Sequence, residues 1–159
     1  MGLFLKNLQD TKICETIKIG IPEIYTCCSY PRMRCELVAP ACFVEVSEFD
    51  LGSNPGTEEL AVVGQFEARL VVDRTIEDSE FVIRELALKL ANLINQNTFE
   101  SNVSPAKIKS IEPDGFKPEL DAFLVWCVTW SHEFHVGENI WTNLDSTPFH
   151  KIIINGEKL

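Results

Sequence analysis

The chain has 159 residues, of which 45% are hydrophobic and 24% charged, with no low-complexity tract and no internal repeat. That profile fits a single globular domain able to bury a proper core. With 14 Lys and Arg against 24 Asp and Glu, the formal net charge is -10, which excludes a basic footprint for wrapping nucleic acid and argues against an anionic membrane surface as partner.

The opening Met1-Gly2-Leu3-Phe4-Leu5-Lys6 has too short an apolar run for a signal peptide, and no stretch approaches the ~18 apolar residues of a membrane span. A protein made in the cytoplasm and remaining soluble is therefore expected. Residues 3–19 can form a helix with Leu5, Leu8, Ile13 and Ile17 as a ragged inner face, weakened by Thr11, Thr16 and β-branched isoleucines. Gly20 is a natural stop, and Pro22 blocks continuation. Residues 22–31 read as a connector with a short extended piece around Ile24 and Tyr25.

Residues 37–48 predict the first main strand, with Cys42, Val44 and Val46 on one face and Phe43, Glu45 and Ser47 on the other. Pro40, early in this run, marks an edge or a strand start. Gly52, Ser53, Asn54, Pro55 and Gly56 signal a loop. A second long strand follows, Leu60–Asp73, in which Phe66, Ala68, Leu70 and Val72 alternate with Gln65, Glu67, Arg69 and Val71. The two strands predict a hairpin with an acidic tip, since Glu45, Glu48, Asp50, Glu58 and Glu59 have no Lys or Arg among them. A solvated loop accounts for such a run. The functional alternative is an arm that reaches a neighbouring subunit.

The organising element is a helix over 79–96. Ile83, Leu86, Ala87, Leu90 and Ile94 recur at steps of three and four, painting one side of a 3.6-residue helix. Ser79 reads as its N-cap, with Glu77, Asp78 and Glu80 at the positive end of the dipole. Residues 106–112 give a short strand, and Pro113-Asp114-Gly115 a turn. Residues 121–134 form the most hydrophobic strand. Phe123, Val125, Cys127 and Thr129 face one way, and Leu124, Trp126, Val128 and Trp130 the other. Apolar residues on both faces predict a central strand, covered by the helix on one side and by a second layer or a partner subunit on the other. Together the elements predict an α+β fold: a mixed, mainly antiparallel sheet of four to five strands, with the 79–96 helix and the N-terminal helix packed on it. Residues 1–137 form the domain. The extension 138–159, with Trp141, Leu144, Phe149 and Ile152-Ile153-Ile154, is too apolar for a free tail, and is expected to pack on the domain or on a neighbouring subunit.

Motifs for chemistry are weak. The six cysteines Cys14, Cys27, Cys28, Cys35, Cys42 and Cys127 lack a paired C-x2-C arrangement, so reduced, mostly buried thiols are expected. His132-Glu133-Phe134-His135 suggests zinc, but the histidines are three apart on a strand, which sends them to opposite faces. Glu133 and Glu138 make a carboxylate pair no more specific than others in a chain this acidic. Arg69 and Arg74 could face one another along the strand end or pair with Asp73 and Glu77. No P-loop, G-x-G-x-x-G or G-x-S-x-G is present. Neither catalytic residues, metal ligands nor a cofactor are expected.

The order of elements carries a resemblance over residues 3–137. The N-terminal helix leads to Pro40-Ala41-Cys42-Phe43-Val44-Glu45 and an acidic loop. A strand ending Val71-Val72-Asp73-Arg74 and the helical Ala87-Leu88-Lys89-Leu90-Ala91 follow. The close is Trp126-Cys127-Val128-Thr129-Trp130 before Phe134 and Gly137. This resembles the tail terminator proteins of long-tailed phages and tail-like bacteriocins. The resemblance implies a non-catalytic virion protein at the head-proximal end of the tail, assembled in the host cytoplasm. It would be a hexameric ring that caps the tail tube, ends polymerisation and offers a head-joining surface. Implied partners are further copies of the chain, the tail tube protein, the head–tail connector protein and, in a contractile tail, the sheath protein. DNA would pass through an acidic lumen without specific binding. Subunit-interface candidates are Glu48, Asp50, Glu58, Glu59, Arg69, Arg74, Trp141, Phe149 and Ile153. The cysteine-rich first third and the extension from Trp141 depart from the pattern. They leave open a different tail or neck component; the alternatives to the terminator reading are another neck or baseplate adaptor and a small hydrolase.

Overall fold

Helix α1 begins as α-helix at Phe4–Lys6, widens to a π-helix over Asn7–Ile13 and returns to α-helix over Cys14–Gly20. This is the first element of a computed structural model that describes residues 4–29, 38–114 and 122–137. The π segment explains the ragged inner face: Leu8 and Ile13 are five residues apart, matching i→i+5 closure, and both are buried. Ile17 follows four residues later on the same side. The helix stops at Gly20, as expected, with the Ile21 N–H bonded to the Ile17 carbonyl at 2.8 Å.

The strands are β1 (Thr26–Ser29), β2 (Ala41–Leu51), β3 (Leu60–Asp73), β4 (Lys107–Pro113) and β5 (Phe123–Val136). Among the described residues they form one sheet in the order β1-β2-β3-β5-β4, with β1 parallel to β2 and every other pair antiparallel. The expected α+β architecture is therefore present. The β3 bounds coincide with those read from alternation, and β2 starts directly after Pro40. The connector's extended piece is β1, displaced two residues from the Ile24-Tyr25 pair.

Helix α2 (Ser79–Ile94) buries Ile83, Leu86, Ala87, Leu90, Ala91 and Ile94 against the sheet. Its N-terminus differs from expectation. Asp78, not Ser79, is the capping position, held at φ 56°, a left-handed conformation that Asp tolerates. The Asp78 carbonyl accepts the N–H groups of Phe81 and Val82, each at 2.9 Å. The Ser79 hydroxyl donates instead to the Arg74 carbonyl at 3.3 Å. The preceding turn sets this geometry, since Asp73 Oδ1 accepts both the N–H and the hydroxyl of Thr75.

Both helices lie on one face of the sheet, over Cys42, Val44, Phe66, Ala68, Leu70, Val72, Val128 and Trp130. They approach closely where α1 ends: a Cβ on Gly20 would lie 2.9 Å from the Leu93 side chain. The opposite face carries a smaller buried cluster, Ala41, Phe43, Val71 and Val125, flanked by Cys28 and Phe123. Burial of Val125 on this face and of Val128 and Trp130 on the other makes β5 a two-sided strand, as its paired apolar faces predict.

Candidate interaction surface

One irregularity shapes the far end of the sheet. The β2–β3 register shifts between Val46 and Glu48, so Val46 pairs with Phe66 but Glu48 with Gln65, Phe49 with Gly64 and Leu51 with Val62. The extra residue, Ser47, is a β-bulge, and a bulge inverts the facing of every later side chain on its strand. Cys42, Val44 and Val46 face the helices before it; Phe49 and Leu51 do so after it. The helix-facing apolar stripe thus continues to the tip, past the cover that the helices provide. There it forms a groove of about 370 Å³ between Phe4, Phe49, Leu51, Leu60, Phe134 and Val136. The Phe134 ring is its floor, 5.4 Å from Phe4 and 6.4 Å from Phe49.

The same bulge sends Glu48 and Asp50 to the opposite face, which is charged. At its centre Arg69, 16% exposed, is held by three carboxylates. Its Nε donates to Asp114 Oδ2 at 2.8 Å, Nη2 lies 2.7 Å from Glu67 Oε1, and Nη1 donates to Glu45 Oε2. Burial alone would lower the Arg69 pKa. The Asp114 hydrogen bond and the charges of Glu67 and Glu45 outweigh that, so the net shift is upward. Beneath it, burial pushes the Cys127 thiol up to about 11, protonated and unreactive at neutral pH. The sequence-local pairing of Arg69 with Asp73 or Glu77 is therefore replaced by cross-strand pairing. Glu45 lies on β2 beside Arg69, and Asp114 is brought in at the end of β4, its N–H bonded to the Val125 carbonyl at 2.9 Å.

The other candidates fall in different places. Glu48, Asp50 and Glu58 are exposed at the tip, while Glu59 accepts from the Thr57 hydroxyl and lies 3.7 Å from His135 Nδ1. Arg74 is in the turn between β3 and α2, its N–H directed at the Ala122 carbonyl at 3.3 Å. Glu45, part of the acidic run in sequence, belongs to the Arg69 cluster instead. Trp141, Phe149 and Ile153 lie outside the described residues, as do Cys35 and Glu138. Of the remaining cysteines, Cys14, Cys27, Cys42 and Cys127 are free thiols.

His132 and His135 point to opposite faces, as their spacing requires. His132 is fully buried and His135 exposed. Each imidazole nitrogen of His132 is used: Nε2 accepts from Trp130 Nε1 at 3.0 Å, so Nδ1 carries the proton and donates to the Ser104 carbonyl at 2.7 Å. Burial lowers its pKa from the ordinary 6.5. A histidine held neutral in the fold leaves the unfolded chain binding more protons below that value. Its contribution should thus be complete above pH 6.5 and decline as pH falls through it, with a slope of at most about 1.4 kcal/mol per pH unit. Urea unfolding between weakly acidic and neutral pH should show this decline, and His132→Gln, though less stable, should flatten it.

Among the described residues, no group of three or more His, Cys, Asp or Glu side chains is placed to hold a metal ion, and no helix is long and apolar enough to cross a membrane. What the arrangement offers is a two-sided tip, apolar on one face and acidic on the other. Neither a scan of protein-family models nor a search of curated proteins finds a match to this chain.

Proposed function

We propose that the chain is a structural, ring-forming protein of the tail-terminator kind. It would cap a tail tube, end its polymerisation and present a joining surface to the head connector. The observation that carries this reading is the open outer edge of the projecting tip. β1 pairs with β2 only from Ala41 to Val44, so among the described residues the edge of β2 from 45 to 51 has no strand beside it. An exposed edge is a template for strand addition, and closed rings are built from heterologous contacts in which a projecting element meets a different surface of the next copy. The tip's exposed Glu48, Asp50 and Glu58 suit a lumen through which DNA slides, because phosphate binding depends on Lys and Arg. In this role the protein needs no cofactor and performs no turnover. Its partners are its own copies, the tube protein, the connector protein and, in contractile tails, the sheath protein.

Native mass measured across protein concentration tests the reading. The expected result is a species at the hexamer mass, about six times the 18.0 kDa of one chain, growing with concentration or on addition of purified tail tubes. A chain that stays monomeric at every concentration and also ignores tube ends would overturn it.

A further inference from the structure

The apolar groove at the tip is unusual for its position. Leu51 is 77% exposed, and Phe49, Leu60 and Val136 about half, although all four occupy the face that is buried elsewhere along the same strands. Contiguous apolar surface of this kind is normally covered. The chain leaves β5 at the groove itself: Val136 is one of its walls. The next residue, Gly137, has φ 111°, a conformation open to glycine that turns the backbone off the strand direction. The sequence that follows is Glu138-Asn139-Ile140-Trp141-Thr142-Asn143-Leu144, in which Ile140, Trp141 and Leu144 are apolar. From Gly137, four residues reach roughly 13 Å, enough to return from β5 across β3 to β2 at a strand spacing of about 4.8 Å.

We propose that the groove is the docking site of the chain's own segment 138–159, with Trp141 as the side chain that fills it. Tethering a few residues from the groove gives the segment an effective concentration that a separate molecule would match only at millimolar levels. A large amphipathic ring suits a slot floored by Phe134 and walled by aliphatic side chains. Docking would seal the apolar side of the tip and leave the acidic side and the β2 edge for contacts with other molecules. The proposal does not depend on the ring, since a monomer would close its groove in the same way.

The full chain labelled with 5-fluorotryptophan tests this. Its 3 tryptophans give separate fluorine resonances, and Trp141→Phe identifies that of Trp141. The expected result is a Trp141 resonance displaced from its position in denaturant. Leu51→Asp, or Leu60→Asp, should return it there, and the displacement should not vary with protein concentration. The Trp126 and Trp130 resonances, unmoved, report that the fold is intact in each variant. A Trp141 resonance already at its denatured position, or one that both substitutions leave in place, overturns the proposal. A displacement that grows with concentration also overturns it, and assigns the groove to a second copy.

Discussion

Replacing Arg69 with Met should destabilise the protein by about 3–5 kcal/mol at neutral pH, the range for removing one partner of a largely buried ionic group. Met preserves most of the aliphatic volume, so the loss reports charge more than packing. Glu45, Glu67 and Asp114 would lose the guanidinium they share, at sites where their side chains are only 15–23% exposed. One feature separates this from a simple cavity effect. Adding Glu45→Gln and Asp114→Asn to Arg69→Met should recover much of the loss, because the repulsion is what those substitutions remove. Chemical denaturation of the parent, the single variant and the triple variant measures both quantities. A single variant within about 1 kcal/mol of the parent would place Arg69 among ordinary surface pairs.

Trp130→Ala should produce a loss of similar size for a different reason. Trp130 is fully buried and stacks on Phe66 with ring centroids 5.7 Å apart and planes inclined by 19°. Deleting a buried aromatic ring of this size costs about 3–5 kcal/mol through lost transfer energy and the cavity left behind. The indole also donates to His132, so Trp130→Phe divides the effect. Phe keeps a ring against Phe66 but leaves the His132 Nε2 without its donor, a penalty of about 1–3 kcal/mol for a buried unpaired acceptor. Equilibrium unfolding should rank the parent above Trp130→Phe and Trp130→Phe above Trp130→Ala. Equal stability of the Phe variant and the parent would mean that the hydrogen bond contributes nothing net.

These two residues also mark the limits of reading the chain without its fold. Trp130 was legible: alternation along residues 121–134 places it with Val128, Trp126 and Leu124, and all of these belong to the main core or pack against it. Its bond to His132 was not, although the two are only two residues apart, because full burial of His132 depends on Phe66 and Phe99, whose rings lie 5.2 and 5.7 Å from the imidazole. Arg69 was visible as a charge on an otherwise apolar strand. Beyond Glu67 on its own strand, its partners come from 24 and 45 residues away, and nothing local could name those two. The raggedness of α1 was visible too, but the π-helical turn that reconciles Leu8 with Ile13 was not.

The sequence by itself determined the periodic features: the α2 stripe, the bounds of β3, the two faces of β5 and hence an α+β sheet with helices on it. Periodicity is a local property, since each side chain's facing follows from its neighbours' spacing along one element. Tertiary structure alone decided the bulge at Ser47, which turns Phe49 and Leu51 onto the helix-facing side and Glu48 and Asp50 onto the other. Strict alternation carried past Val46 assigns these four to the wrong faces, because a bulge is defined by two strands together and leaves no mark in the pattern of one. The apolar groove and the acidic face at the tip both follow from that single extra residue.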